Sequence, residues 1–256
     1  MAPGGKIEES RWLSVIVPVY QEPHGELRSL LGWIEECSDS RIEWIIVGAI
    51  GDDSFGRVVS DIRGFAGMGR TAGRALETKV DVNVIVAPKG RSKQMNAGAR
   101  LASGKVLLFL HADTRLANDW FEGIERALRK HETSWGAFSP CIQGENAVYR
   151  IAERWGLWRS ERLGLPYGDQ AMFIEAALFW KLGGFDEIVQ FMEEVDLARR
   201  LCRTGKWPVI LPQRAATSGR KWTKFGAWQS VRNIVAFVLF MCGIPRESIK
   251  SWYCRD

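Results

Sequence analysis

Residues 106–114 read Val-Leu-Leu-Phe-Leu-His-Ala-Asp-Thr, and this stretch decides the fold class. Its five apolar residues predict a short strand buried on both faces, as the strands of parallel sheets are. Polar residues follow at once, so Asp113 would leave the strand at its carboxyl end. Open α/β sheets bind their ligands at that edge. The stretch therefore predicts a parallel sheet that carries a functional residue at its carboxyl edge.

The sequence on either side of this stretch alternates between strand and helix patterns. Strands are predicted at residues 14–19, 44–47, 82–87 and 106–110, and helices at 27–34, 58–62, 92–102 and 120–128. Such alternation is typical of an open, mostly parallel sheet wound by right-handed crossovers. Further on, strands are predicted at 135–142 and 171–174, and helices at 149–162 and 192–204. We expect both halves to share one continuous sheet.

The composition is that of a globular protein. The chain has 256 residues, of which 46% are hydrophobic and 25% charged, and these values exclude a disordered tail, a collagen-like repeat and a multi-span membrane protein. The five cysteines are scattered without CxxC spacing, which favours reduced thiols over a disulfide scaffold or a zinc site. The first ten residues contain no apolar core, so we expect no signal peptide and a cytoplasmic protein.

The net charge of +5 is distributed unevenly along the chain. From Leu197 to Arg246 there is no acidic residue but many basic ones, which suits phosphate groups or an anionic membrane surface. A merely solvated basic face is the alternative. The uncharged run 233–245 is too short for a membrane span, which needs about 20 residues. We expect a buried or interfacial helix there, and weak, salt-sensitive attachment to anionic membranes; the alternative is a helix whose apolar face is hidden against the domain.

Two polar segments at predicted strand ends indicate phosphate and cation chemistry. A His-x-Asp pair such as His111 and Asp113 can place two ligands on one cation, and Mg²⁺ or Mn²⁺ on a diphosphate needs few protein ligands. The alternative is that His111 caps a turn and Asp113 caps a following helix. Gly90, at the start of the predicted helix 92–102, offers backbone N–H groups to a phosphate, and Arg91 adds positive charge.

The acidic cluster at 192–196, Met-Glu-Glu-Val-Asp, contains a candidate general base. At 100° per residue, Glu194 shares the apolar face of its helix with Leu197 and Leu201, whereas Glu193 points away. A carboxylate on a buried face is costly unless it is paired or faces a cleft. The first helical turn also favours its ionised form. These conditions suit a base acting on a substrate hydroxyl, and the alternative is a helix cap.

Taken together, six segments resemble the family 2 glycosyltransferases of GT-A fold. They are SVIVPVYQE (14–22), GRSKQMNAGA (90–99), LLFLHADT (107–114), YGDQAMFI (167–174), LGGFDE (182–187) and MEEVDLARRL (192–201). They are most similar to the bacterial subgroup with HAD in place of DxD, often labelled arsenosugar-biosynthesis-type glycosyltransferases. The resemblance implies one GT-A domain over 1–256, with a nucleotide-sugar half (about 13–115), an acceptor half (about 116–212) and a C-terminal helical tail (about 213–256).

The resemblance also implies a role for each residue that matches a family motif. The residues implied to bind the nucleotide sugar are Pro18, Tyr20, Glu22, Asp53, Arg91 and Asp113. Those implied to hold the cation, Mn²⁺ or Mg²⁺, are Asp113 and His111. Those implied on the acceptor side are Asp169 and Gln170. The implied catalytic pair is Glu193 and Glu194, with Glu194 as the base in a position where the family usually has Asp.

These matches imply an inverting glycosyltransferase that moves a sugar from a nucleotide-diphosphate sugar to an acceptor hydroxyl, with no nucleic-acid partner. Gly48 stands where the family has an Asp that binds uracil, so a different donor or a degenerate enzyme is an alternative. A non-catalytic nucleotide- or sugar-binding protein that kept the fold is the rival from another class. A nucleotidyltransferase is disfavoured, because such enzymes tend to need a Gly-rich loop that is absent around Tyr20.

Overall fold

The computed structural model describes residues 11–37, 39–52, 55–56, 81–130, 133–188 and 191–253. The strands are β1 (Leu13–Val19), β2 (Ile42–Ala49), β3 (Asp81–Ala87), β4 (Val106–Phe109), β5 (Thr114–Leu116), β6 (Trp135–Ile142), β7 (Met172–Glu175) and β8 (Val209–Thr217). The α-helices are α1 (His24–Glu36), α2 (Arg91–Leu101), α3 (Trp120–Lys130), α4 (Ala147–Leu163), α5 (Ala176–Lys181), α6 (Glu193–Arg203), α7 (Arg220–Met241) and α8 (Arg246–Tyr253). A short 3₁₀ helix spans Gly168–Gln170. The predicted helix at 58–62 and Asp53 lie outside the described residues.

The described strands form one eight-stranded sheet in the order β3-β2-β1-β4-β7-β6-β8-β5. β1 pairs in parallel with β2 and β4, and β2 pairs in parallel with β3, as the alternation of strand and helix predicted. Beyond β4 the pairing changes, because β7 runs antiparallel to both β4 and β6, while β6 runs parallel to β8. The sheet therefore confirms the predicted α/β class and its continuity through the second half.

Two hydrophobic cores cover the faces of this sheet. Successive side chains of a strand point to opposite faces. In β1, Val15 and Val17 accordingly join the core that contains α1 and α3. Ile16 joins the opposite core, to which α2, α6 and α7 contribute. Because β1 is buried on both faces, the polar groups at its carboxyl end are held on a rigid support.

Two strands were missed in the sequence analysis, β5 and β8. β5 has only three residues. β8 contains Pro212 and alternates buried with exposed positions, so it lacks the continuous apolar run of a central strand. Its pairing with β6 is also interrupted by a register shift between Phe138 and Ser139. These strands are recognisable only through the partners with which they pair.

Helix α7, which contains most of the apolar run at 233–245, begins well before that run. One side packs into the core through Ala236, Phe237 and Phe240. The other side leaves Trp228 and Val231 exposed. The alternative of an apolar face hidden against the domain therefore holds for one side of the helix, and attachment to membranes stays a prediction. No helix of the described part of the chain combines the length and the hydropathy that crossing a bilayer requires.

Candidate active site

A cleft of about 710 Å³ lies at the carboxyl ends of β1 and β4. It brings together most of the residues that the sequence singled out. The predicted site residues that line it are Pro18, Tyr20, Glu22, Arg91, His111, Asp113, Asp169, Glu193 and Glu194. The position is the one expected for ligands of an open α/β sheet.

His111 and Asp113 lie on the short connection between β4 and β5. Because β5 begins at Thr114, no helix follows Asp113, and the helix-cap alternative is excluded. The backbone N–H of Ser218 donates to the carbonyl of Asp113 at 3.2 Å, and the Thr217 hydroxyl donates to its Oδ1 at 3.5 Å. The carboxylate of Asp113 is thus held in the cleft by the end of β8.

Glu194 and His111 face each other inside the cleft. Glu194 is only 5% exposed, and its Oε1 lies 3.6 Å from Nε2 of His111. Within the described structure, both of these buried atoms lack a hydrogen-bond partner. Buried polar atoms in native proteins are normally paired. The two atoms lie just beyond hydrogen-bond distance of each other, and Nη1 of Arg91 lies 4.0 Å from the same Oε1. A polar ligand that enters the cleft therefore meets both atoms.

The two glutamates at the start of α6 differ in their ionisation. Burial would raise the pKa of Glu194, but the neighbouring His111 and Arg91 outweigh it and hold that pKa below its usual value. Burial, together with repulsion by Glu194, raises the pKa of Glu193. At neutral pH the pair therefore concentrates its negative charge on Glu194, the form that a base requires.

The prediction that Glu193 points away from the buried face is wrong, because both glutamates are buried. Glu193 is the first residue of α6, and its surroundings are set by other elements rather than by the face of its own helix. Nη1 of Arg91 lies 3.8 Å from its Oε1, and Arg246 of α8 also acts on it electrostatically. A helical wheel of α6 shows only residues of α6, so it could not reveal Arg91 or Arg246.

Gly168 lies against the side chains of Glu194 and His111. A Cβ at this position would be 2.2 Å from Oε1 of Glu194 and 2.6 Å from Nε2 of His111, closer than real Cβ contacts occur. The 3₁₀ helix that carries Gly168 can therefore approach the two side chains only because residue 168 has no side chain. The motif YGDQ was noticed in the sequence, but the role of its glycine was not.

Arg91 provides positive charge at the centre of the cleft. Four carboxylates act on it electrostatically, those of Glu194, Glu193, Asp113 and Asp169. Gly90, with φ at 135°, adopts a conformation that favours glycine and lets α2 begin at Arg91. The backbone amides at this helix start and the guanidinium together can bind a diphosphate.

Gly48, which stands where the resembling family has an aspartate, is covered by an aromatic ring. The Phe55 ring covers Gly48 so closely that a Cβ there would lie 2.2 Å from Cδ1 of the ring. No space is left for an aspartate at position 48. Nearby, Nζ of Lys89 donates to the Tyr20 hydroxyl at 2.6 Å. A tyrosine and a lysine thus lie beside the place where a nucleotide base would bind, and Lys89 was not predicted.

Gln170 does not line the main cleft, and its predicted place on the acceptor side stays a prediction. It is fully buried, and its Oε1 accepts hydrogen bonds from Arg159 (3.0 Å) and Ser160 (2.8 Å) of α4. Its Nε2 donates to the carbonyl of Phe138 at 3.1 Å. The fold uses Gln170 to fix the 3₁₀ helix against α4 and β6, and this positions Gly168 and Asp169.

Several lining residues come from elements that the sequence analysis did not place near the site. They are Phe191, Ser218, Asn233, Ala236 and Tyr253. Phe191 and Tyr253 pack ring against ring at 5.2 Å, and the Tyr253 hydroxyl donates to Asn233 at 2.6 Å. These residues carry no local motif, and only long-range contacts bring them to the cleft.

The residues present fit a divalent cation that arrives together with a phosphate ligand. In the described ranges, no three His, Cys, Asp or Glu side chains group closely enough to enclose a metal by themselves. The orphaned Nε2 of His111 and the carboxylate of Asp113 nevertheless line the same cleft. Mg²⁺-type sites commonly use one or two protein carboxylates, with substrate phosphates and water completing the shell.

Comparison with solved structures shows the same fold in several glycosyltransferases. The mannosyltransferase PcManGT from Pyrobaculum calidifontis, in complex with GDP-Man and Mn²⁺, has a TM-score of 0.60 at 18% identity, over 81% of this chain and 56% of that chain. S. aureus TarS 1-349 in complex with UDP-GlcNAc has a TM-score of 0.58 at 15% identity, over 80% and 58%. GalNAc-T7 with UDP, GalNAc and Mn²⁺ has a TM-score of 0.59 at 15% identity, over 82% and 44%. The chain thus spans about half the length of these proteins.

Comparison at the level of sequence identifies the family. None of the curated proteins gives a significant match to the chain. The family profile described as Glycosyl transferase family 2 matches residues 14–180, which include β1, β4 and the 3₁₀ helix of the cleft. The match extends over more than half of the chain and agrees with the GT-A fold of the structure. The protein therefore belongs to glycosyl transferase family 2.

Proposed function

We propose that the protein is an inverting glycosyltransferase that moves a sugar from a nucleotide-diphosphate sugar to an acceptor hydroxyl. The observation that carries this proposal is the buried Oε1 of Glu194, which has no hydrogen-bond partner and faces the cleft beside His111. The pKa of Glu194 is held low by His111 and Arg91 against the effect of its burial, so this carboxylate is ionised at neutral pH. An ionised carboxylate whose Oε1 makes no hydrogen bond within the protein is suited to accept a proton from a bound hydroxyl.

In the proposed reaction, the acceptor hydroxyl oxygen attacks the anomeric carbon of the donor sugar as Glu194 takes its proton. The bond from that carbon to the diphosphate oxygen breaks, and the nucleoside diphosphate leaves with the electron pair. Attack on the side opposite the leaving group inverts the anomeric configuration. Arg91, on the diphosphate side, stabilises the charge that develops on the leaving group.

His111 and Asp113 are the residues that would hold a divalent cation, Mn²⁺ or Mg²⁺. Such a cation would neutralise negative charge on the donor diphosphate. The presence of Mn²⁺ in the structures of PcManGT and GalNAc-T7 supports this assignment. Asp169, on the far side of the cleft, is proposed to orient the acceptor.

The donor base is proposed to bind along Pro18, Tyr20 and Glu22, which line the cleft at the end of β1. The Phe55 ring over Gly48 excludes a carboxylate at position 48. We therefore assign base recognition to contacts other than a uracil-binding aspartate. The His-Ala-Asp sequence at 111–113 supports membership of the subgroup labelled arsenosugar-biosynthesis-type glycosyltransferases. For location, we propose a cytoplasmic protein with weak attachment to anionic membranes.

The rival proposal, a binding protein without catalysis, is favoured by Gly48 alone. The ion-pair neighbours of Glu194, Arg91 at 4.0 Å and His111 at 3.6 Å, keep it ionised without forming a hydrogen bond to its Oε1, so this oxygen is free to act on a substrate hydroxyl. The geometry of Glu194 and His111 therefore favours the enzyme.

The test measures donor binding and nucleoside diphosphate release separately. A panel of nucleotide sugars is screened by thermal shift with and without Mn²⁺, and the release of nucleoside diphosphate from the bound donor is then followed, with water as acceptor. Glu194→Gln is expected to retain donor binding and to lower release by roughly 10²–10⁴. Asp113→Asn is expected to lose the Mn²⁺-dependent part of donor binding, because a neutral amide is a poor ligand for a hard cation.

The exposed Glu161 provides the control, since Glu161→Gln should behave as the wild type in both measurements. Release by Glu194→Gln at the wild-type rate would refute the assigned base. Failure of every nucleotide sugar to shift the melting temperature would refute the proposed donor class.

A further inference from the structure

A second cavity, of about 80 Å³, lies between α4 and α7. Four residues line both this cavity and the main cleft, namely Tyr167, Asp169, Thr217 and Asn233. At its outer end the cavity is bordered by Ile151 of α4 and Ile234 of α7, which are 67% and 37% exposed. The cavity therefore connects the acceptor side of the cleft to the protein surface.

The walls of this cavity are largely apolar, and its main polar side chains are occupied by contacts within the protein. The carboxylate of Glu153 accepts from the backbone N–H of Ile142 at 2.6 Å and pairs with Arg150 at 2.9 Å. Gln170 is engaged at both ends of its amide. What remains for a ligand is mostly the hydrocarbon surface of side chains such as Trp155 and Ile142. The buried Nε of Arg159 is the exception, since it has no hydrogen-bond partner in the described structure.

The polarity of the lining changes at the junction with the cleft. Oδ1 of Asp169 is buried there without a hydrogen-bond partner in the described structure. A ligand that extends through the junction would therefore meet an unpaired carboxylate oxygen next to the reaction site and apolar walls beyond it. Such a gradient matches a molecule with a polar end and an apolar end.

The outer mouth opens onto an apolar surface of α7. Trp228, Val231, Val235 and Val238 recur at intervals of three and four residues and are all exposed, so they form one face of the helix. This face belongs to the segment from Leu197 to Arg246 that contains no acidic residue. The apolar face therefore continues the cavity outward without a negative charge in its own segment.

We propose that the acceptor is an amphiphile, with its hydroxyl-bearing end in the cleft near Asp169 and Glu194 and its hydrocarbon chain in the cavity between α4 and α7. This inference rests on the proposed glycosyltransferase function and specifies its acceptor class. The hydrocarbon chain of the acceptor leaves the cavity between Ile151 and Ile234 and continues along the apolar face of α7. A water-soluble acceptor such as a free sugar has no apolar part that would bind in this cavity.

A cavity of about 80 Å³ holds about three methylene groups, so the test uses ethyl, n-propyl and n-butyl β-D-glucoside in titration calorimetry with the protein. Each additional methylene that enters the cavity is expected to raise the affinity by about two- to fourfold. Ala152→Phe, which places a ring in the cavity, and Ile234→Ser, which makes its mouth polar, should remove this dependence on chain length. Ile234 is exposed enough for its variant to fold even where Ala152→Phe does not.

The matched control is Ile188→Ser, because Ile188 is 89% exposed and does not line the cavity. It should retain the full dependence on chain length. The proposal is overturned when the affinity does not change with chain length, when both cavity variants keep the dependence, or when Ile188→Ser loses it equally. Thermal shift with a nucleotide sugar and Mn²⁺ is measured on the same proteins. Loss of that donor response in the wild type would indicate failure of the proposed function rather than of the subsite.

Discussion

At the scale of single residues, Gly168 leaves the space that the long side chain of Glu194 occupies. Oε1 of Glu194 occupies the position that a Cβ of residue 168 would need. A shorter base at 194 would leave that position empty. The additional methylene of this base, compared with the usual aspartate of the resembling family, is therefore compatible with the fold only because residue 168 is glycine.

Gly168→Ala is expected to lower nucleoside diphosphate release by about 10²-fold, because its methyl group displaces the carboxylate that acts as base. Donor binding without Mn²⁺ should remain, since Pro18, Tyr20 and Arg91 lie at β1 and α2. The Mn²⁺-dependent part of donor binding is expected to weaken as well, because the same methyl group would lie 2.6 Å from Nε2 of His111. Gly32→Ala in α1 is the control, because a Cβ there meets nothing within 4 Å.

The cost of Gly168→Ala should fall when the base is shortened in the same protein by Glu194→Asp. The two substitutions would then be non-additive in a double-mutant cycle. Additive effects would show that residue 168 acts on activity by some route other than the position of the base.

The different outcomes for Glu194 and Glu193 show which features of a residue's surroundings can be predicted from the sequence. Helical periodicity placed Glu194 on the buried face of α6, and the structure buries it there. The same periodicity failed for Glu193, because Arg91 and Arg246 come from other elements. Periodicity predicts the face of a helix, whereas the environment of a residue at the helix start depends on what packs around that end.

At the scale of secondary-structure elements, Glu43 joins β1, β2 and the turn before β4, at the end of the sheet opposite the cleft. This carboxylate in β2 is 2% exposed and accepts from the Ser14 hydroxyl at 2.5 Å and from the backbone N–H of Ser103 at 2.6 Å. Burial alone would raise the pKa of Glu43, but the hydrogen bonds from Ser14 and Ser103 outweigh it and lower that pKa. The ionised carboxylate therefore stabilises the fold.

Glu43→Gln is expected to lower the free energy of unfolding at pH 7 by about 1–3 kcal/mol, since it weakens several buried hydrogen bonds at once. Because the folded pKa is depressed, this stabilisation is present above the unfolded pKa of about 4.3 and is lost as the pH falls through the folded value. Urea unfolding at pH 7 and at decreasing pH below 4 measures the effect. The difference between variant and wild type should shrink on acidification, and a constant difference would contradict the mechanism.

Glu35→Gln in α1 is the control for this prediction. Glu35 is exposed, and its replacement should leave the free energy of unfolding unchanged at either pH.

The elements that the sequence predicted are those whose signal is local. The apolar runs of β1 and β4 and the spacing of Leu27, Leu30, Leu31 and Ile34 in α1 each identify an element within a few residues. β8 was missed because Pro212 and the exposed positions beside it obscure its pattern. Its strand character arises from pairing with β6 and β5, and no short stretch of sequence contains that information.

At the scale of the whole molecule, the exposed face of α7 and the acid-free segment predict how the protein meets a lipid surface. Co-sedimentation with phosphatidylglycerol vesicles at low salt should pellet the protein, and phosphatidylcholine vesicles should pellet less. Each basic residue near an anionic surface contributes about 1 kcal/mol, and added salt screens this attraction. Trp228→Ser should reduce pelleting, because this side chain is 62% exposed on the apolar face.

Ile188→Ser, which changes an exposed side chain outside α7, should pellet as the wild type does. Absence of pelleting with anionic vesicles at low salt, or pelleting that high salt leaves unchanged, would contradict an electrostatic attachment.

The anchoring of Asp113 by β8 has a consequence for the order in which the molecule assembles. Asp113 lies 104 positions before Thr217, the residue whose hydroxyl donates to its carboxylate. The match to the family profile ends at residue 180, well before β8 begins. Contacts between distant positions form late, since a long loop must close before they can form. A chain shortened to the matched segment would thus contain His111 and Asp113 without the strand that holds Asp113. The proposed site for the donor diphosphate would be completed only when the last third of the chain has folded.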